Sequence, residues 1–110
     1  MSPQPATPPA TVIPLTDAIN TQPAGIVSRV LLKQKNGNVT LFAFDAGQEL
    51  SEHTAPFDAM VYVLDGEVTI TIGGTPQRVS AGSMIVMPAN IPHALHALAP
   101  MKMLLVMIRD

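Results

Sequence analysis

Two stretches of the chain carry the strongest indication of its fold: GQELSEHTAPFDAMVYVLDG at residues 47–66 and GSMIVMPANIPH at residues 82–93. Each contains a short apolar run, residues 60–64 in the first stretch and residues 84–88 in the second, and neither sustains a helical period. Each stretch also contains one histidine, and glycines bound the first stretch and begin the second. The two stretches therefore predict short strands, separated by tight turns, around a pair of histidines.

The same pattern continues on both sides of these stretches. Runs rich in Val, Ile, Leu, Thr and Met recur at spacings near ten residues, which is typical of an all-β chain. The eight predicted strands cover residues 26–32, 39–45, 60–64, 68–72, 77–79, 84–88, 93–98 and 101–108. Turn signals at 36–38 (Asn-Gly-Asn), 65–66 (Asp-Gly) and 73–74 (Gly-Gly) predict three hairpins, because they supply positive φ angles. Short strands in this number avoid open edges by closing on themselves, so we expect a barrel or a sandwich.

Composition excludes several classes of protein. The chain has 110 residues, which fits one domain, and it has no Cys. Disulfides, iron–sulfur clusters, Cys-ligated zinc and thiol nucleophiles are therefore excluded. The six Lys and Arg are scattered singly and the net charge is −2, so nucleic acid is not an expected partner. Apolar runs of about six residues are too short to cross a membrane, and no targeting segment is recognised, so a cytoplasmic location is predicted.

The charged fraction and the prolines give two further expectations. Only 13% of the residues are charged, which predicts that one apolar face is buried in a homodimer. Six of the 11 prolines fall within residues 1–24, which we interpret as a Pro-rich N-terminal arm that precedes a barrel domain at residues 25–110. Within the arm, residues 1–10 are predicted as a flexible or extended tail. Residues 11–24 are predicted as an extended edge segment on the domain or on a partner subunit, and a plain disordered tail is the alternative.

The two stretches together resemble the two signature motifs of the cupin family. The residues that match the family's motif positions are Gly47, His53 and Gly66 in the first motif and Gly82, Pro88 and His93 in the second. The resemblance covers residues 26–108. It implies the family's fold, a double-stranded antiparallel β-helix, or jelly-roll barrel.

The resemblance also implies a site inside the barrel. In the family, three His and one Glu hold a divalent metal such as Fe, Mn, Ni, Cu or Zn. Here His53 and His93 occupy two of the four ligand positions, whereas Ala55 and Ala59 occupy the other two. Two imidazoles would leave most of the coordination of an ion to water. Two hypotheses therefore stay open: a reduced metal site, and a hydrogen-bonded histidine pair in an apolar cavity without metal.

Strand alternation extends the predicted pocket. If Ala59 points inward, Val61 does so as well, and counting from His93 places Leu95 inside and His96 outside. The predicted pocket residues are His53, Ala55, Ala59, Val61, His93 and Leu95, with His53 and His93 as the candidate metal ligands.

Three functional hypotheses follow. The first is a protein that binds a small organic molecule in the pocket, or an enzyme without a tight metal, in which the two histidines supply hydrogen bonds or proton transfer. The second, by family analogy, is a metal-dependent dioxygenase or isomerase. In that case Glu49, Glu52 or Asp58, expected in or near the loops around His53, could turn toward the ion. The third is a structural or partner-binding protein whose cavity is incidental.

Overall fold

The structure, a computed structural model, describes residues 7–110, which fold into two antiparallel β-sheets with a shared core. The nine strands are β1 Ile26–Gln34, β2 Gly37–Phe44, β3 Glu49–His53, β4 Asp58–Asp65, β5 Glu67–Ile72, β6 Thr75–Ser80, β7 Met84–Met87, β8 His93–His96 and β9 Met101–Ile108. One sheet has five strands in the order β1-β2-β9-β4-β7, and the other has four in the order β3-β8-β5-β6. This all-β jelly roll confirms the predicted fold class.

The core lies between the two sheets and follows the predicted alternation. On β4, Ala59, Val61 and Val63 are at most 4% exposed, whereas Tyr62 on the opposite face is 37% exposed. Ile70 of the four-stranded sheet is fully buried in the same cluster. Burial of each large aliphatic side chain contributes about 1.5 to 3 kcal/mol, so this cluster stabilises the contact between the sheets.

One strand was missing from the sequence prediction. The segment Glu49–His53 is β3, and its residues are mostly exposed. It pairs with β8, with Leu50 opposite Leu95, so the placement of Glu49 and Glu52 in loops is wrong. The segment has no clear alternation of apolar residues, and its extended conformation depends on pairing with a strand some forty residues away. Local pattern does not reveal such a strand.

Two of the predicted hairpins are confirmed and the third is wrong. β1 pairs with β2 and β5 pairs with β6, as the turns at 36–38 and 73–74 predict. The Asp-Gly turn at 65–66 instead connects β4 of the five-stranded sheet to β5 of the four-stranded sheet. Gly66 has φ 73° at this corner. The sequence signal was correct about the positive φ and wrong about which strands pair.

The N-terminal segment lies on the outer face of the five-stranded sheet. It contains one 3-10 turn, Leu15–Asp17, and contributes Ile19, which is 2% exposed and belongs to a core cluster with Val27 and Leu41. The Arg29 guanidinium donates a hydrogen bond of 3.2 Å to the carbonyl oxygen of Ala18. The segment covers a sheet face instead of extending an edge as predicted, because its prolines lack the N–H groups that a strand ladder needs. Residues 1–6 of the predicted tail lie outside the described residues.

Across residues 7–110, no helix combines the length and the apolar character that a membrane span requires.

A row of apolar side chains crosses the rest of that outer face. Its members are neighbours across successive strands, in the order Leu32, Val39, Val106, Met60 and Val86 from β1 to β7. The two ends of this row are open to solvent, with Leu32 58% and Val86 50% exposed, while the three central residues are half-buried. We call these five residues the apolar row.

Candidate functional site

The two histidines are brought together by the pairing of β3 with β8. His53 ends β3, His93 begins β8, and the two are partners in the antiparallel register although 40 positions separate them in the chain. Their Nε2 atoms are 3.0 Å apart, and the rings meet edge to face with centroids 4.3 Å apart. The structure therefore places both imidazoles at one point of the barrel.

A proline-bounded turn fixes the position of His93. Residues 88–92 connect β7 to β8, and the Asn90 N–H donates a hydrogen bond of 2.8 Å to the carbonyl oxygen of Ala55. Asn90 has φ 64°, a conformation that asparagine tolerates better than most residues. The Pro92 carbonyl accepts a bond of 2.8 Å from the Gly73 N–H. These bonds tie the turn to the chain near both histidines and so limit how far His93 can move.

Backbone carbonyls set the tautomer of both rings. His53 Nδ1 lies 2.6 Å from the Ser51 carbonyl oxygen, and His93 Nδ1 lies 3.2 Å from that of Ile91. A carbonyl oxygen can only accept, so each neutral ring must carry its proton on Nδ1 to make this bond. Both Nε2 atoms then carry lone pairs 3.0 Å apart, a separation at which one added proton would complete a hydrogen bond between them. Such a pair is an acceptor site that a proton, a hydrogen-bond donor or a cation would satisfy.

Burial keeps His93 neutral. Desolvation lowers the pKa of His93 below its usual value of 6.5, and the charge of His53 lowers it further, while the bond to the Ile91 carbonyl acts in the opposite direction. His93 is 6% exposed, whereas His53 is exposed. The Nε2 lone pair of His93 is therefore available near neutral pH.

The histidine pair closes one part of a small cavity between the sheets, with a volume of about 60 Å³. The rest of its wall is apolar and consists of Leu50, Ala55, Ala59, Met87, Leu95, Met103, Leu105 and Met107. For comparison, an engineered apolar cavity of about 150 Å³ binds benzene. The hollow therefore suits an ion or a group of a few heavy atoms, and its methionines are the side chains best able to enlarge it.

Most of the predicted pocket residues lie on this wall. The structure places His53, Ala55, Ala59, His93 and Leu95 there. Val61 is fully buried in the core cluster but is not on the wall. His96 is also off the wall, on the other face of β8, as alternation predicted.

The predicted carboxylates do not line the cavity, whereas two methionines of β9 do. Glu49 and Glu52 belong to β3, and neither contributes to the wall. Asp58 begins β4, and its Oδ1 accepts a hydrogen bond of 2.9 Å from the Ala89 N–H. Met103 and Met107 line the wall and were not among the predicted pocket residues. Alternation along β9 from the buried Met101 would have placed both of them inside.

The cupin domain family model matches residues 40–107, which include both histidines. The chain belongs to the cupin family. A solved structure of a conserved protein of unknown function from Streptococcus pyogenes is similar to this cupin over 100% of this chain and 96% of that chain, with 40% identity and a TM-score of 0.91. A cupin 2 conserved barrel domain protein from Leptotrichia buccalis has 40% identity and a TM-score of 0.84 over 86% of this chain and 46% of that one.

Among curated proteins, this cupin is similar to an uncharacterized protein of Streptomyces coelicolor. The two are 34% identical over 65 residues, which is 59% of this chain and 62% of that protein, so the match spans less than two thirds of the relative. The function of the Streptococcus protein is unknown, and the Streptomyces protein is uncharacterized. These similarities establish the family and leave the specific activity to be argued from the site.

The residues of this cupin do not fit the three-histidine, one-glutamate metal centre that its motifs imply for the family. Two of the four positions are Ala55 and Ala59, whose side chains cannot bind a metal. Within residues 7–110, no three His, Cys, Asp or Glu side chains are close enough together to hold an ion. Tight divalent sites generally need three or four protein ligands, and this donor set supplies two.

Proposed function

We propose that this cupin binds a small organic molecule in the barrel cavity, with His53 and His93 as its polar contacts. The observation that carries the proposal is the convergence of two Nε2 atoms, 3.0 Å apart, on the wall of an otherwise apolar hollow. Apolar pockets with a few convergent polar groups are typical small-molecule sites.

The hydrogen-bonding role of the two histidines restricts which small molecule can bind as the guest in the cavity. Because both Nδ1 protons are held by backbone carbonyls, the Nε2 atoms accept hydrogen bonds, so the guest should present a hydroxyl or an N–H group. His53 both lines the cavity and is exposed, so the hollow reaches the surface beside it. A polar head of a few heavy atoms can enter the cavity of about 60 Å³ while the rest of the molecule remains near the opening. A neutral imidazole at this point can also accept a proton from the guest.

Substitution of either histidine should weaken binding of such a guest. We expect a panel of small alcohols, phenols and carboxylic acids to contain compounds that raise the melting temperature, since a ligand at one hundred times its Kd stabilises the native state by about 2.7 kcal/mol. His53→Ala and His93→Ala should each lower the affinity roughly tenfold, the loss of about one hydrogen bond. Isothermal titration calorimetry measures this directly.

The matched control is His96→Ala, because His96 is on β8 but outside the cavity. It should leave the affinity unchanged. Equal binding by all four proteins would contradict the proposal. If no compound in the panel binds, the small-molecule proposal fails and a structural or partner-binding role gains support.

A metal-dependent enzyme of dioxygenase or isomerase type is the second candidate. The observation in its favour is that each ring donates its Nδ1 proton to a carbonyl, an arrangement that usually orients histidines bound to a metal. The two alanines at ligand positions argue against a tight divalent site. Elemental analysis of protein purified without chelator tests this candidate: a stoichiometric divalent ion that is lost in His53→Ala supports it, and a metal content near zero after addition of Fe, Mn, Ni or Zn eliminates it.

We also propose that a second copy of the chain covers the apolar row. The row crosses all five strands of the sheet, so a two-fold axis parallel to the sheet and lying between the two copies would place it against the same row of a second copy. The low charged fraction of 13% favours such self-association over binding of a charged partner.

The substitution Val86→Glu should convert this dimer into a monomer. It places a charge at the exposed end of the row, where dimer formation would have to desolvate it. Size-exclusion chromatography with light scattering should give the mass of two chains for the wild type and of one chain for the variant. Leu98→Glu is the control, since Leu98 is 63% exposed and lies outside the row. A monomeric wild type or a dimeric Val86→Glu variant would rule the interface out.

A further inference from the structure

We propose that the cavity binds one Cu(I) ion, through Nε2 of His53 and His93 and the thioether sulfurs of Met87 and Met107. This goes beyond the small-molecule function and does not depend on it. The family's usual donor set is absent here, and the structure places soft neutral sulfur ligands next to the position where the family has its glutamate.

The two nitrogens are placed to share one ion. Imidazole nitrogens bond zinc at about 2.0 to 2.1 Å, and we take a similar length for Cu(I). His53 Nε2 and His93 Nε2 are 3.0 Å apart, which is less than the combined length of two such bonds. Both nitrogens can therefore bond one ion that lies to the side of the line joining them. The carbonyls of Ser51 and Ile91 already hold the Nδ1 protons, so both lone pairs are free without a change of tautomer.

The sulfur ligands come from the two strands that flank β4. Ala59, at the family's glutamate position, has Met87 of β7 as its partner on one side and Met107 of β9 as its partner on the other. Directly opposed residues in antiparallel strands have Cβ atoms about 4.5 to 5.5 Å apart. All three side chains line the same cavity as the histidines. The small side chain of Ala59 therefore leaves space between two flexible thioethers, each long enough to reach the space that a glutamate would fill.

The environment selects a soft monovalent cation. Thioether sulfur prefers Cu(I), whereas Mg²⁺, Ca²⁺ and Mn²⁺ prefer carboxylate and water oxygens. Among residues 7–110, no carboxylate contributes to the cavity wall, so a divalent ion there would keep two uncompensated charges in apolar surroundings. A volume of about 60 Å³ also leaves little room for the water ligands that such an ion would retain.

The test is an anaerobic titration of the full chain with Cu(I), in competition with a chromophoric chelator such as bicinchoninate. We expect one Cu(I) per chain, and X-ray absorption should detect sulfur as well as nitrogen bound to copper. Met87→Leu and Met107→Leu should each lower the affinity at least tenfold, and the double variant should lose the sulfur signal. Leucine is close to methionine in volume, so these variants should fold. Met60→Leu is the matched control because Met60 belongs to the apolar row on the outer face of β4.

The results separate this inference from the small-molecule proposal. In the Met87→Leu/Met107→Leu double variant the cavity stays apolar, so an organic guest should keep its affinity while Cu(I) affinity falls. His93→Ala should weaken both. The inference is overturned if the wild type binds less than one Cu(I) per chain, if the double variant binds Cu(I) as the wild type does, or if Met60→Leu weakens binding equally. Copper binding without binding of any organic compound would overturn only the small-molecule proposal.

Discussion

Substitution of Ala55 by histidine and Ala59 by glutamate together should raise the affinity of the chain for Zn²⁺ or Mn²⁺ by roughly a thousandfold, about 4 kcal/mol. Both alanines line the cavity with His53 and His93, so the new imidazole and carboxylate would join the existing pair. The number of protein donors would rise from two to four, the number usual in tight sites. The carboxylate would also compensate the charge of a divalent ion.

The metal-free double variant should be less stable than the wild type by a few kcal/mol, because Ala59 is 4% exposed and a carboxylate there is buried with no metal to compensate its charge. Added metal should restore the loss. Calorimetric titration and melting temperatures with and without Zn²⁺ measure both effects. Ala55→His/Ala59→Gln is the matched control: it has nearly the same shape without the charge, and it should lose most of the gain. A folded double variant with the affinity of the wild type would show that positions 55 and 59 do not face the histidines.

Gly66→Ala should cause a large loss of stability, roughly 3 to 4 kcal/mol. Gly66 has φ 73°, which disfavours any residue with a Cβ atom. An added Cβ would also overlap the Pro100 carbonyl oxygen and lie 3.0 Å from the Met101 Cβ. These are backbone or buried atoms at the corner between the two sheets, so they cannot move aside without disturbing the core.

Gly74→Ala separates the two causes of this loss. Gly74 has φ 84°, but an added Cβ would meet no atom within 4 Å. Its cost should therefore be the backbone strain alone, about 1 to 2 kcal/mol. Urea denaturation of both variants gives the comparison, and equal losses would mean that the crowding at the corner has no energetic effect.

Much of the fold follows from local pattern. The alternation of Ala59, Val61 and Val63 indicates which face of β4 is buried, because successive side chains of a strand point to opposite sides. Glycine-containing turns mark where strands end, because few other residues adopt positive φ. The motif spacing around His53 and His93 identifies the family, and with it the barrel.

Strand pairing, by contrast, is a property of the folded chain. β3 has no apolar period of its own and exists because β8 is beside it, and Gly66 turns the chain into the other sheet although its sequence signals a hairpin. The contact between the two Nε2 atoms and the position of Ala59 between two methionines also join residues that are distant in the chain. Periodicity and turn chemistry act over a few residues, whereas the register between distant strands is selected by packing of the whole core, so the donor set of the site appears only once the sheets are assembled.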